Sequence, residues 1–443
     1  MSFGYFCPPN RSKIMGTRNI FLGFLLSCVF FSFAGLAVAD SLTLPETVRE
    51  AGAKSLVLKQ AEEGVWAAES SAAEQRTYLF PSFNLSGGNT YQQGDIFNGS
   101  TSSGKTETDF NTLSLVVTQP LFTGGRLSGQ YRIAGLAVDL ARASYDVIYL
   151  DLVLNVKSAY FNVLRLEKAV SVSRELVDNR RRHSSEVGKR VQAGVLPKVE
   201  QLKAEVELAH SADALILAEN GLKSAWSGLN RLLERSLETE VILEDVPLDV
   251  RLEDKGLEYY YVQARQNRPE LKAAAIKVGQ AEKGKMVAGS GYFPQISLQL
   301  VRQEFQEDAF QSDWSRNDQA LFVVSYDIWN WGRTGDRVRN SRSQFNLARF
   351  GLSDLERSVG LEVKNAYLSV RSAGARIETA QKAVSQAEEV LRIQSIRFKE
   401  GMATNTEVLD ADFALAQAKT DYYNAAYDYL SAESVLERSV GRN

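Results

Sequence analysis

The sequence contains one long internal repeat, whose two copies lie 207 positions apart. Residues 156–165 read VKSAYFNVLR, and residues 363–372 read VKNAYLSVRS. The same offset relates LFTGGR, which ends at Arg126, to WNWGR, which ends at Arg333. Copies of about 200 residues are too long for the unit of a short-repeat solenoid. The chain is therefore expected to consist of two tandem structural units that share one architecture.

This repeat divides the chain into three predicted parts. Residues 1–39 are interpreted as a signal peptide, 40–245 as a first repeat and 246–443 as a second repeat. Each repeat is expected to hold a helix, then a β-hairpin, then a long helical hairpin. The β-hairpins are predicted at 81–122 and 294–329, and the helical hairpins at 126–236 and 333–438.

The N-terminal segment has the pattern of a secretory signal. Three basic residues and no acidic one accompany an apolar run from Ile20 to Phe33, and Ala37–Ala39 supplies an A-x-A cleavage pattern. The run is shorter than the ~20 residues of a membrane-spanning helix. Both cysteines, Cys7 and Cys28, lie in this segment, so the exported chain is expected to use no disulfide. Met15 is an alternative start, and lipidation of Cys28 is an alternative processing route.

Composition and motifs indicate no catalytic, metal, cofactor or nucleic-acid site. The formal net charge of −3 is mildly acidic, which does not favour binding to nucleic acid. His183 and His210 lie in charged helical stretches without other ligands at metal-binding spacing, and they are expected to be solvated. The sequence has no G-x-S-x-G, H-E-x-x-H or Walker A motif. Glu362 is expected to be an ordinary solvated carboxylate on a coiled-coil helix.

Two segments without proline predict very long helices. They run from Arg126 to Arg190 and from Arg333 to Lys399, and each would be on the order of 95 Å long as one helix. Such helices need parallel neighbours, and apolar residues at alternating spacings of three and four predict coiled-coil seams. A glycine turn follows each helix, so each repeat is expected to be a helical hairpin. In the repeated motif, Val156 and Val363 are expected to face neighbouring helices, and Lys157 and Lys364 to face water.

The segments between the helices alternate apolar and polar residues with a period of two, which is typical of strands with one apolar face. The predicted apolar, lipid-facing residues are Leu113, Leu115, Val117, Ile296, Leu298 and Leu300. Strands of about ten residues are long enough to cross a bilayer when the strands are tilted. Gly94–Lys105 and Glu304–Asp318 are interpreted as polar loops between the strands. Exposed aromatic residues are expected near the strand ends, as in outer-membrane barrels; they are Tyr91, Phe122, Tyr292, Tyr326 and Trp329.

A soluble β-sandwich with one wet face is the alternative interpretation of these strands. However, two hairpins give only four strands, which cannot close a barrel, and open sheet edges cannot stand in lipid. If the strands span a membrane, several chains must therefore combine their strands. A shared barrel and a shared coiled-coil tube then follow together.

The order of these motifs resembles that of the TolC-like outer-membrane efflux proteins. The resemblance covers nearly all of the chain after residue 39, including LTLPETVREA at 42–51, the FP junctions at Pro81 and Pro294, and both helix tips. It implies a mixed α and β membrane protein in which three chains share one transmembrane β-barrel and one α-helical coiled-coil barrel. It also implies a homotrimeric exit channel in the cell outer membrane, with a long periplasmic extension. Its implied partners are a periplasmic adaptor (membrane fusion protein), an inner-membrane pump and outer-membrane lipid.

The helix tips are expected to dock the adaptor, because they present small and apolar groups at the periplasmic end. The residues concerned are Gly194, Val195, Leu196, Gly401 and Met402. Simple glycine-terminated turns are the alternative interpretation. A periplasmic coiled-coil adaptor or scaffold without a membrane barrel is the alternative function for the chain.

Two carboxylates after the second tip are candidates for the pore constriction. Glu407 and Asp410 are three residues apart, so they share one helix face, and they correspond to acids that line the constriction in the resembled family. Ordinary solvated acids are the alternative. Where some family members latch the closed pore with a tyrosine and an arginine, this chain has Phe398 and Ala403. Its latch is therefore expected to be looser or built from other residues.

Overall fold

The computed structural model describes residues 41–98, 101–247, 255–307 and 313–442. The proposed signal peptide, with Cys28, lies outside these residues. The helices are α1 (Leu44–Lys54), α2 (Leu56–Thr77), α3 (Arg126–Gln192), α4 (Lys198–Leu232), α5 (Leu257–Asn267), α6 (Pro269–Gly289), α7 (Arg333–Lys399) and α8 (Asn405–Ser439). The strands are β1 (Ser82–Asn98), β2 (Thr101–Phe122), β3 (Gln295–Glu307) and β4 (Ser315–Ser325).

The two longest helices, α3 and α7, each have 67 residues, and the helices that follow them, α4 and α8, each have 35. Both long helices begin after a glycine in the left-handed conformation, Gly125 with φ +87° and Gly332 with φ +80°. Residues with a Cβ rarely adopt this conformation, so the two glycines set where strand ends and helix begins. The second half of the chain thus repeats the helix lengths of the first.

The long helices lie side by side in one layer. Helix α3 packs between α2 and α6 near the sheet and between α4 and α8 towards the tip, and α7 packs on the far side of α6 and α8. The order across the layer is therefore α2 and α4, then α3, then α6 and α8, then α7. The buried seam of α8 keeps the predicted alternation; it includes Val408, Ala411, Leu415, Ala425, Tyr429 and Leu436.

The repeated VKxAY motif contributes buried residues to the hydrophobic core in both copies. Val156 and Val363 are completely buried, as predicted. Buried Tyr160 places its hydroxyl 3.0 Å from the Leu42 carbonyl and 2.6 Å from the Glu244 carbonyl, and burial raises the pKa of this tyrosine to about 12. Lys364 is exposed, as predicted. The prediction for Lys157 is wrong, because its Nζ lies 2.6 Å from a carboxylate oxygen of Glu437 on α8.

The strands form one antiparallel sheet in the order β1-β2-β3-β4. The β2–β3 pairing joins the two halves of the chain, with Val117 opposite Leu300. The first hairpin has the predicted bounds, but its strands of 17 and 22 residues are longer than the roughly ten residues expected; β3 and β4 have 13 and 11 residues. The interpretation of 94–105 and 304–318 as loops is wrong for most of their described residues, because the ladders continue to Asn98 and to Glu307.

Candidate functional site at the helix tips and the sheet face

The two helix tips have the same backbone geometry. Gly194 has φ +75° and Gly401 has φ +72°. The N–H of the next residue then donates back to a carbonyl in the last turn, from Val195 to Arg190 at 2.9 Å and from Met402 to Arg397 at 2.8 Å. This is the bond pattern of a Schellman C-cap, which requires the left-handed residue. The tips are therefore fixed turns, and their geometry depends on the glycines.

The side chains at the tips divide into exposed and packed groups. Val195 is 68% exposed and Met402 is 63% exposed. Leu196 instead packs, half-buried, against a small tip core that includes Val187 and Phe398. Of the predicted tip residues with large apolar side chains, only Val195 and Met402 thus present most of their surface to a partner.

The two candidate pore acids differ in their surroundings. Glu407 accepts hydrogen bonds from the backbone N–H (2.6 Å) and the hydroxyl (3.0 Å) of Thr404, completing a capping box at the start of α8. These bonds hold the pKa of Glu407 below its usual value. Asp410 is exposed and borders a groove of about 680 Å³ between α4 and α8, with Leu202 and Phe413. Of the two acids, Asp410 is therefore the one whose side chain is exposed to solvent.

A set of polar contacts links the α3–α4 hairpin to the α7–α8 hairpin near the tips. Arg190 donates to the Phe398 carbonyl at 2.9 Å, with its guanidinium 4.6 Å from the Phe398 ring centre. Asn179 donates to Asp412 at 2.9 Å, and burial raises the pKa of this aspartate. Phe398 is buried and Ala403 is half-buried. The two hairpins are thus linked without the tyrosine and arginine that latch some family members, because positions 398 and 403 hold phenylalanine and alanine.

Sequence reasoning missed one member of this link. His183 lies 2.6 Å from the side-chain oxygen of Asn405 and packs against the Phe398 ring, so the prediction that it is solvated is wrong. His210 is exposed, as predicted. The partners of His183 are more than 200 positions away in the chain. A local sequence pattern does not predict such a contact.

The register places all six predicted apolar residues on one face of the sheet. Leu113, Leu115 and Val117 share this face with Leu300, because Val117 pairs with Leu300, and Leu298 and Ile296 follow at alternate positions. Phe83, 74% exposed, joins them from β1 opposite Val117. On β3 and β4 the apolar part ends where Arg302 pairs with Asp318 at 2.8 Å, whereas on β2 it extends to Leu113, opposite Glu304.

The opposite face of the sheet is mainly polar. Its members include Asn84, Ser86, Thr112, Ser114, Thr118, Gln299, Gln303 and Asn317. All five predicted aromatic residues are exposed, but the prediction that Tyr91 lies near a strand end is wrong, because it lies in the middle of β1. An exposed apolar face with aromatic residues at its margin matches the outer surface of a transmembrane β-barrel.

Comparison with known proteins agrees with this architecture. The family model "Outer membrane efflux protein" matches residues 47–234 and 260–442. The chain is 25% identical to protein CyaE of Bordetella pertussis, covering 90% of this chain and 86% of CyaE. It is 22% identical to outer membrane protein TolC of Escherichia coli, covering 95% and 86% of the two chains.

The fold is shared with solved structures. The outer membrane protein VceC from Vibrio cholerae superposes with a TM-score of 0.79 at 17% identity, covering 90% of this chain and 96% of VceC. The predicted resemblance, fold class and outer-membrane location are thereby confirmed. An adaptor or scaffold without a barrel is not favoured. The chain belongs to the outer membrane efflux protein family.

Proposed function

We propose that the protein is the outer-membrane exit channel of a tripartite efflux or type I secretion system. It would conduct substrates passively from an inner-membrane pump and a periplasmic adaptor to the exterior, without catalysis and without contact to nucleic acid. The observation that carries this proposal is the open sheet. Within the described residues, β1 and β4 each leave one edge without a neighbouring strand, and such edges must be paired before a sheet can stand in lipid.

The flanks of the helix layer support closure by further copies of the chain. Helix α7 exposes Leu347, Phe350 and Leu361 on one flank. Helix α4 exposes Ile216 and Leu217 on the other. If each flank meets the opposite flank of the next chain, the contacts are heterologous and close into a ring. We propose a homotrimer, in which the same rotation closes the sheet into a barrel and the helices into a tube.

The mass of the assembly tests this proposal. The signal-cleaved protein in mild detergent is expected to have three times the mass of one mature chain by light scattering, and to fractionate with outer membranes. Pairing of the β1 and β4 edges and burial of the apolar flanks are the physical reasons. A stable folded monomer in detergent would contradict both the barrel and the tube. Recovery in the soluble periplasm would favour the scaffold alternative.

We assign each proposed partner to the surface of the protein that suits its chemistry. The apolar sheet face would contact outer-membrane lipid, and the tips around Val195 and Met402 would contact the adaptor. A channel that several substrates pass through needs no specific catalytic group. Selection of cargo is therefore assigned to the pump and the adaptor.

The pore constriction is proposed to depend on Asp410 more than on Glu407. In planar bilayers, Asp410→Asn is expected to weaken cation selectivity and to weaken block by a trivalent cation about tenfold. One unit charge at 4 Å contributes about 1 kcal/mol even in bulk water, and more in a narrow pore. Glu407→Gln is expected to have a smaller effect on block, because its carboxylate already caps α8.

The matched control is Asp421→Asn, which removes an exposed acid farther along the same helix. It is expected to leave selectivity and block as in the wild type. Unchanged block in both Asp410→Asn and the double variant with Glu407→Gln would exclude these acids from the constriction. Equal losses in all three variants would indicate a general charge effect.

A further inference from the structure

A large pocket lies where the helices meet the sheet. Passive conduction alone does not require a pocket at this position. Its volume is about 980 Å³. The starts of α3 and α7, the end of α6 and the sheet surround it, and we call it the junction pocket. Its walls include Arg126, Arg333, Arg337, Asp327 and Trp331.

The junction pocket opens towards the polar side of the sheet. Gln295 and Ser325, which line it, are direct partners across β3 and β4. Gln295 is on the same face as Gln299, which pairs with Thr118. In the proposed barrel this face lines the channel, so the location of the pocket within the channel rests on the proposed function.

Small residues of α6 keep the pocket open. Gly284 and Ala288 lie on its α6 wall, and a Cβ at Gly284 would meet nothing within 4 Å. Gly291 packs closely on α7, since a Cβ there would lie 3.0 Å from the Thr334 hydroxyl. The helix ends are thus held together at the base while space remains above the small residues.

The charges in the junction pocket are unbalanced. Arg333 is paired with Asp327 at 3.0 Å, and Asp336 is paired with Arg339. Within the part of the chain that the structure describes, the side chains of Arg126 and Arg337 have no hydrogen-bond or ion-pair partner. Two guanidinium groups therefore line the pocket with their donors available, and a guanidinium binds planar carboxylates and similar oxyanions in a bidentate manner.

An aromatic surface lies beside these cations. Trp331 is 86% exposed and has φ +55°, an uncommon conformation for a residue with a side chain. Its turn is held by a 3.0 Å bond from the Arg333 N–H to the Asn330 carbonyl and a 2.8 Å bond from the Asn330 amide to Thr334. Backbone strain of this kind persists where the surrounding structure enforces it. The turn leaves the indole exposed at the wall of the pocket, where a flat ring can stack on it.

We propose that the junction pocket binds aromatic anions, organic rings that carry a carboxylate or sulfonate, during their passage through the channel. Arg126 and Arg337 hold the oxyanion, and Trp331 contacts the ring. Binding in a conducting pathway must be weak enough for release, so a Kd of about 0.1–1 mM is expected.

Calorimetric titration of the purified full chain in detergent with 2-naphthoate tests the proposal. The wild type is expected to bind it, and Arg126→Gln and Arg337→Gln are each expected to weaken binding about fivefold or more, as loss of a charge-assisted bond predicts. Quenching of tryptophan fluorescence by the same ligand is expected to fall in Trp331→Phe, which places the ligand at this residue.

Matched controls separate the pocket from general effects. Arg132→Gln on α3 and Arg342→Gln on α7 remove exposed arginines that do not line the pocket, and both are expected to bind as the wild type does. Neutral 2-naphthylmethanol is expected to bind about fivefold more weakly than 2-naphthoate. Equal binding of both ligands, or undiminished binding in the double arginine variant, would overturn the proposal. A trimer that fails to bind would contradict the pocket alone, whereas a monomer would contradict the channel.

Discussion

Val195→Asp is expected to abolish export while leaving trimer assembly and membrane insertion intact. The Val195 side chain is mostly exposed, and only its backbone N–H holds the turn, so aspartate can occupy the position. A charge in the apolar centre of a docking surface typically costs about 2 kcal/mol or more, which is a loss of about thirtyfold or more in affinity for the adaptor. Export assays in cells, with trimer quantified from the same membranes, check this result.

The second tip and a neighbouring polar residue provide the comparison variants. Met402→Asp is expected to behave like Val195→Asp, because the two residues occupy the same position in equivalent turns. Gln192→Asp adds the same charge at an exposed polar position beside the first tip, and export is expected to continue. Normal export in Val195→Asp and Met402→Asp would contradict docking at the tips and leave them as simple glycine turns.

Features set by local pattern could be predicted from the sequence. The glycine turns, the proline-free helices and the apolar strand face all depend on residues within a few positions of each other. The capping role of Glu407 was also accessible, since Thr404 and Glu407 form the T-x-x-E pattern of a capping box. The structure adds that this role commits the Glu407 carboxylate, which shifts the pore hypothesis towards Asp410.

The outer ends of the strands could not be predicted from periodicity. Beyond Leu113 the same face of β2 holds Asn111 and Asp109, whose side-chain oxygens accept hydrogen bonds from the Asn89 amide. A strand that is polar on both faces loses its period-two signal, although its backbone ladder continues. Periodicity therefore predicts strands in the first hairpin that are shorter than the observed ones.

Contacts between segments that are distant in the sequence could not be predicted either. Lys157 was expected to face water, but its partner Glu437 is 280 residues away. Glu362 was expected to be an ordinary solvated acid, yet both of its oxygens accept from Arg268. Hydrogen-bonding pairs of this kind depend on which helices become neighbours, and helix periodicity does not specify that choice.

Arg268 joins the helices at the centre of the layer, and its loss is expected to be strongly destabilising. The side chain is 4% exposed and donates to Glu362 at 2.7 and 3.1 Å and to Glu270 at 3.2 Å. Glu270 also lies 2.6 Å from Arg438, which binds Asp151 at 2.7 Å. This network ties α3, α6, α7 and α8 together.

Arg268→Met is expected to lower the free energy of unfolding by about 3 kcal/mol. Removing one partner of a buried ion pair typically costs ~3–5 kcal/mol, and the lower end applies because Glu362 is half-exposed and can be rehydrated. Chemical denaturation of the trimer, followed by far-UV circular dichroism, measures the change. Arg265→Met, which removes an exposed arginine one turn earlier, is expected to change stability little.

The pH dependence of unfolding distinguishes lost charge pairing from lost packing in Arg268→Met. Burial raises the pKa of Glu270, but its own backbone N–H and the charges of Arg268 and Arg438 outweigh burial and lower the pKa below the ordinary value of 4.5. A lowered folded-state pKa stabilises the protein above the unfolded value, and this contribution is lost as the pH falls through the folded value. Acidification below about 4.5 is therefore expected to destabilise the wild type more than Arg268→Met. Parallel losses in the two proteins would show that Arg268 stabilises the layer by packing alone.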